Sequence, residues 1–314
     1  MRAHRHWSSI NEVTFVAGMR FLFGVYRLLG RWPFRLVLYP VLLWYVLSKP
    51  LARRASRDYL GRIAALTPVQ TGMTGVLGHF AAFAESILDK MLLWNGLFKL
   101  DQVSFHGVAE IDRLISEGRG ALLICSHFGN LELGRVLSRR HGNMRLTILV
   151  HTRHARAFNQ MLAALNPDSG LNLMQVTEMT PHTAMLLGER VARGEFVVIA
   201  GDRVPVSSHP QVMTADFLGA PAAFPIGPYI IASVLQCPAY LLFAVRTKGG
   251  SEVHFELLRE TVRVPRSGRE QALRPLVADY AARLQHHCLR APMQWFNFYD
   301  FWHLPAMENN DASR

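Results

Sequence analysis

Four short runs, apolar but for Arg145 and Thr147, constrain the fold most. They are ALLIC (121–125), RLTILV (145–150), FVVIA (196–200) and PAYLLFAV (238–245). A strand with one wet face alternates apolar and polar residues, whereas a strand buried on both faces does not. Shorter strand-like segments at 103–107, 171–176 and 252–258 complete the set. Between them lie stretches with apolar residues at helical spacing, at 108–118, 129–140, 155–165, 181–194, 224–236 and 269–290, after two earlier helices at 51–65 and 71–100. Alternation of this kind predicts an α/β fold, a mostly parallel central sheet flanked by helices. In such folds ligands bind beyond the carboxyl ends of the strands. His127, Arg153, Asp202 and Arg203 all fall just past predicted strand ends, which points to one shared cleft.

The charge is concentrated at the N-terminus. Residues 1–65 carry eleven Lys or Arg against two acids, and so hold nine of the eleven net positive charges. The same segment is apolar between its charges. Residues 13–29 contain Arg20 and Arg27, and residues 34–48 contain Pro40, so neither is an uninterrupted run of the roughly 20 apolar residues that a crossing needs. Trp7, Trp32, Trp44, Tyr26, Tyr39 and Tyr45 suit a bilayer interface, and arginines can snorkel to anionic headgroups. Residues 1–50 therefore read as a basic, apolar membrane-surface anchor, with a buried helix pair as the competing reading. Residues 51–305 read as the α/β domain, and 306–314 as a disordered tail. Basic residues interleaved with Leu, Phe and Val argue against a nucleic-acid partner. Three scattered cysteines, Cys125, Cys237 and Cys288, have no metal-ligand spacing and read as buried thiols.

The segment SHFGNLE (126–132) leaves the first apolar run with a histidine and places Glu132 five residues on. On one helix, residues five apart do not face each other. They meet only if His127 is on the loop and a helix starts near Asn130, with Asn130 as its N-cap. Gly129 then gives the turn its freedom. A carboxylate on one imidazole nitrogen fixes the tautomer and leaves the other nitrogen free as a base. A glutamate in a first turn is also ordinary helix-dipole complementation, so spacing alone leaves both readings open.

The residues around this pair resemble the lipid A late acyltransferases of the lysophospholipid acyltransferase superfamily. GALLICSHFGNLELGRVLS (120–138) is similar to the central His-Phe-Gly-Asn-x-Glu block. VHTRHARAFNQML (150–162), VVIAGDRVPV (197–206), the segment 217–246 with its Phe-x-Gly-x-Pro-x-x-x-Pro-x-Gly pattern, and APMQWFNFYDFW (291–302) resemble further blocks in the same order. The resemblance implies transfer of an acyl group from a thioester, carried by acyl carrier protein or coenzyme A, to a hydroxyl of a membrane lipid. It implies no cofactor and no metal, and the cytoplasmic face of the bacterial inner membrane. It implies His127 as general base with Glu132, and an oxyanion held by N–H groups near Gly129 and Asn130 with Arg153. Arg156 and Arg203 would meet an anionic headgroup or the carrier's phosphopantetheine, with Asp202 pairing an arginine. Phe224, Pro225 and Gly227 would shape a loop over the acyl chain.

The chain departs from that family after Gln294–Trp295. A basic ending is usual there, whereas NFYDFWHLP supplies Asp300 and few cations. That points away from a heavily phosphorylated acceptor and toward a branch acting on another envelope lipid, with aryl polyene pathway acyltransferases the nearest likeness. Two rivals remain: a hydrolase in which the same pair activates water, and a non-catalytic lipid-binding protein.

Overall fold

The computed structural model describes residues 24–134, 144–150, 171–175, 180–204 and 210–303. Its centre is a seven-stranded sheet in the order β1-β9-β8-β2-β5-β3-β4. These strands are β1 (Val103–His106), β2 (Leu122–Cys125), β3 (Leu146–Val150), β4 (Leu171–Gln175), β5 (Phe196–Ala200), β8 (Ala239–Thr247) and β9 (Gly250–Arg259). Every neighbouring pair is parallel except the β8–β9 hairpin. The sheet is mostly parallel, as the apolar runs predict.

Period-two alternation divides the sheet between two cores. Leu122 and Ile124, Val197 and Ile199, and Leu241 and Phe243 face one core. Leu123 and Cys125, Phe196 and Val198, and Tyr240 and Leu242 face the other. The second core is covered by the helix α4 (Val108–Ser116) through Ile111 and Leu114. The first is larger. It takes in α1 (Arg31–Ser48), α2 (Pro50–Ala64), α3 (Gly72–Trp94), α6 (Gly227–Leu235) and α7 (Arg269–Arg290). α5 (Pro181–Ala192) adds Leu187 and Val191. Cys125, Cys237 and Cys288 are free and buried.

α1 has two different faces. Phe34, Leu38, Leu42 and Val46, four residues apart, are buried in the main core. Each contributes about 2 kcal/mol of apolar burial. Trp32, Leu36, Tyr39, Leu43, Trp44 and Leu47 are exposed on the same helix. Among the described residues no single helix is long and apolar enough to cross a membrane, and α1 and α2 meet at a 97° bend. Arg53 fixes that elbow by donating to the carbonyls of Val46 and Leu47.

A two-stranded hairpin, β6 (Val212–Phe217) with β7 (Ala220–Pro225), lies outside the main sheet and packs on α7. Its turn, Leu218 and Gly219, has φ of 50° and 78°, the conformation that two-residue hairpins require. Leu218 accepts the strain because its side chain is buried and its N–H donates to Gln285 Oε1 at 2.6 Å. The helical spacing read over 224–236 therefore starts too early: Phe224 and Pro225 belong to β7, and α6 begins at Gly227.

His79 on α3 is fully buried. Its Nε2–H donates to the Trp295 carbonyl at 2.8 Å, so its Nδ1 accepts from the Ser56 hydroxyl at 2.9 Å. Burial lowers its pKa to about 4, against which the bond to Trp295 acts only weakly. The unfolded chain therefore binds a proton at His79 below about pH 6.5 while the folded chain does not, so stability falls as the pH drops from 6.5 to 4. The difference in unfolding free energy between wild type and His79→Gln should shrink by about 3 kcal/mol over that interval, as read by urea unfolding. A difference constant with pH would show that His79 does not stay neutral in the fold.

Candidate active site

The site grows from the register of two strands. β2 and β5 are parallel, with Cys125 opposite Ala200. Gly201 N–H continues the ladder to the Cys125 carbonyl at 2.8 Å. Two residues past each strand end, His127 and Asp202 therefore emerge side by side. The Asp202 carboxylate takes the imidazole Nδ1–H on Oδ1 at 2.8 Å and the main-chain N–H of His127 on Oδ2 at 2.7 Å. A third donor, the indole N–H of Trp295, reaches Oδ2 at 3.0 Å. A carboxylate only accepts, so the proton lies on Nδ1 and Nε2 keeps its lone pair.

Asp202 is 1% exposed. Burial alone pushes its carboxyl up, but the imidazole, the charge of Arg203 and the hydrogen bonds from His127 outweigh it, and the net shift is downward. His127 is shifted down as well. Burial of the ring is the largest cause and the charge of Arg203 adds to it, while Asp202 opposes both. About a third of the imidazole (35%) still reaches solvent, so a substrate can approach it. The imidazole is thus neutral near pH 7 and held in one tautomer.

The loop carrying His127 is clamped by the segment Pro292–Gln294 and the two residues beyond it. Gly129 N–H donates to the Gln294 carbonyl and Phe296 N–H to the His127 carbonyl, both at 2.8 Å. The Gln294 side chain brackets Arg246, accepting its N–H at 2.8 Å and donating to its carbonyl at 2.7 Å. Gly129 itself has φ +60°, and a Cβ there would lie 1.7 Å from the Ala244 carbonyl oxygen. No side chain fits that close approach of two backbones.

Asn130 caps the turn Leu131–Leu133, as expected, with Oδ1 accepting from the Glu132 N–H at 3.2 Å. The bond that fixes the His127 tautomer differs from the expectation. It was given to Glu132, and it goes to Asp202, which the sequence reading had paired with an arginine. The physical reason is the β2–β5 register, which brings Asp202 level with the ring. The charge of Glu132 does reach the same strand end, where it acts on Cys125. Gly129 N–H is committed to Gln294 and so has a different partner from the oxyanion assigned to it. Asn130 Nδ2 is buried with no partner among the described residues, and Asn130 lies on a cleft of about 350 Å³ between α3, the motif turn and the end of β8. Arg246 bridges Glu85 and Asp89 on the α3 wall of that cleft, and Arg35 of α1 joins Glu85 at 2.7 Å.

Arg203 is partly buried, with Nη2 on the Phe296 carbonyl at 3.2 Å. Arg153 and Arg156 lie outside the described residues. Phe224 is in the core, packed edge-to-face on Phe217, Tyr280 and Phe301. Pro225 ends β7 in a buried position, and Gly227 is exposed at the start of α6. These three residues build the hairpin-to-helix corner. Trp295 and Gln294 belong to the site, although the sequence reading gave them no role; their only signal was a position in the closing motif. On the far edge of the sheet, His106, Glu252 and His254 bring three possible ligand atoms within 4.8 Å, and Arg290 bonds to both Glu252 and His254 there.

A buried acid holding an exposed imidazole at parallel strand ends defines an acid–base site on an α/β scaffold. Residues 96–303, roughly two thirds of the chain, match the model of a family described as bacterial lipid A biosynthesis acyltransferase, and the chain belongs to that family. Membership makes it an acyltransferase of lipid biosynthesis. No match was found among curated proteins.

Gly129→Ala should destabilise the chain by about 3 kcal/mol or more in urea unfolding, because both the backbone angle and the carbonyl of Ala244 oppose a methyl group. A neutral substitution would mean that the loop does not lie against β8.

Proposed function

We propose that the chain moves a fatty acyl group from a thioester donor, acyl carrier protein or coenzyme A, to a hydroxyl of a membrane lipid. The observation that carries this reading is the His127–Asp202 pair, a neutral imidazole with Nδ1 committed to the carboxylate and about a third of its side chain exposed. Nε2 takes the acceptor's hydroxyl proton as its oxygen attacks the thioester carbonyl. The tetrahedral oxyanion collapses, the C–S bond breaks, and the imidazolium returns the proton to the leaving thiolate. Asp202 stabilises the imidazolium through Nδ1–H. Glu132, at the same strand end, adds negative charge that favours the same state. Asn130 Nδ2 offers a buried donor to a substrate oxygen. Ser126 is fully buried, which favours direct transfer over a serine-based hydrolase.

The membrane reading rests on α1. Its exposed Trp32, Leu36, Tyr39, Leu43, Trp44 and Leu47 would enter the lipid interface, with Lys49, Arg53, Arg54 and Arg57 at the elbow meeting anionic headgroups. A groove of about 610 Å³ lined by Arg54, Arg57, Arg62 and Asp58, the last two ion-paired, keeps a net positive charge that suits an acidic carrier. The acceptor would be an envelope lipid with fewer phosphates than lipid A, as the poverty of cations after Trp295 suggests.

Detergent-solubilised protein, labelled acyl thioester of either carrier and an envelope-lipid extract test the reading. Label should enter a lipid with wild type and stay near background with His127→Ala. Asp202→Asn should lose about 100-fold or more, and Glu132→Gln less. The rate should be flat near pH 7 and fall on acidification only below about 6.5, where the imidazolium forms. Equal transfer by His127→Ala, or free fatty acid released without any lipid acceptor, would overturn the proposal.

A further inference from the structure

The structure assigns Trp295 as a positioning residue that sets the basicity of His127 through Asp202. This rests on His127 as the base proposed above. Trp295 is fully buried, and its indole N–H is one of the three donors on the Asp202 carboxylate. It shares Oδ2 with the main-chain N–H of His127, so the carboxylate cannot turn without losing two bonds. The indole cannot swing either. Its own carbonyl is held by His79 at 2.8 Å, Phe128 bridges to it across the loop, and the Tyr59 ring meets it edge-on at 5.1 Å.

Phe128 lies within the family-matched residues 96–303, but other groups that hold Trp295 and its loop come from outside them. Ser56 and Tyr59 are on α2, and His79 and Ser86 are on α3. The Ser56 hydroxyl donates to His79 Nδ1, and Tyr59 donates to the Pro292 carbonyl at 2.7 Å. Ser86 donates to the Gly129 carbonyl at 3.1 Å. One chain of contacts therefore runs from α2 through His79, Trp295 and Asp202 to the imidazole. The N-terminal helices are thus part of the machinery that orients the base.

Trp295→Phe keeps an aromatic ring and removes the N–H. The Asp202 carboxylate then has one donor fewer, keeps more of its negative charge for the imidazolium, and the His127 titration moves up. We expect a rise of about half a pH unit or more, with a roughly tenfold lower plateau rate and an unchanged KM. The titration is read by NMR on the imidazole without substrate, so it stands or falls independently of acyl transfer. In an Asp202→Asn background, Trp295→Phe should add no further change. A folded Trp295→Phe chain that melts lower but titrates His127 as wild type does would reduce Trp295 to a core residue and overturn the assignment. Should that variant not fold, the wild-type indole proton reads the same contact. It should shift as His127 titrates, and a proton indifferent to that titration would overturn the assignment too.

Discussion

Cys125 and Ala200 lie opposite each other at the paired ends of β2 and β5, and the position of each acid–base group follows from that register. Parallel strands end at the same edge, so residues at equal offsets beyond their ends become neighbours. His127 and Asp202 are both two residues past the pair. A shift of one residue in either strand would send every side chain into the opposite core, whose packing it does not match, and part the two groups at the same time. The full burial of Leu122, Ile124, Val197 and Ile199 thus protects the chemistry as well as the fold.

An ionised carboxylate buried to this degree is costly unless its oxygens are bonded. Asp202 meets that condition with three N–H donors, two of them from His127. The same bonds that make the charge tolerable also orient the imidazole. Tyr280 supports the strand end from below, its hydroxyl donating to the Cys125 carbonyl at 3.0 Å. The closing segment adds a second clamp from above, through Gln294, Trp295 and Phe296. The loop is therefore held on each side, and rigidity of this kind keeps a base within reach of its proton.

Much of this was legible in the residues. The largely apolar runs indicated the buried strands, and α7 begins and ends at the residues its periodicity indicates. His127 was found from its place after a buried strand, and Asn130 from its capping chemistry. Other features were hidden for physical reasons. Hydrogen bonds across 75 residues, such as His127 to Asp202, depend on strand order, which local pattern does not encode. Glu132 looked like the partner because it is close in sequence. The β6–β7 hairpin escaped because its turn is Leu218–Gly219 rather than Asn-Gly, a left-handed leucine that only tertiary contacts make tolerable. Phe224 and Pro225 read as the start of the helix that follows, because the apolar spacing runs on unbroken, yet they close a strand in the core.

The most direct test is the tautomer of His127, read from the ¹⁵N shifts of its ring nitrogens in the unliganded wild-type chain above its pKa. The account predicts a proton on Nδ1, shielded from exchange by Asp202, and an unprotonated Nε2 free to accept one. A proton found on Nε2, or a ring sampling both tautomers, would contradict the central claim that Asp202 fixes the base.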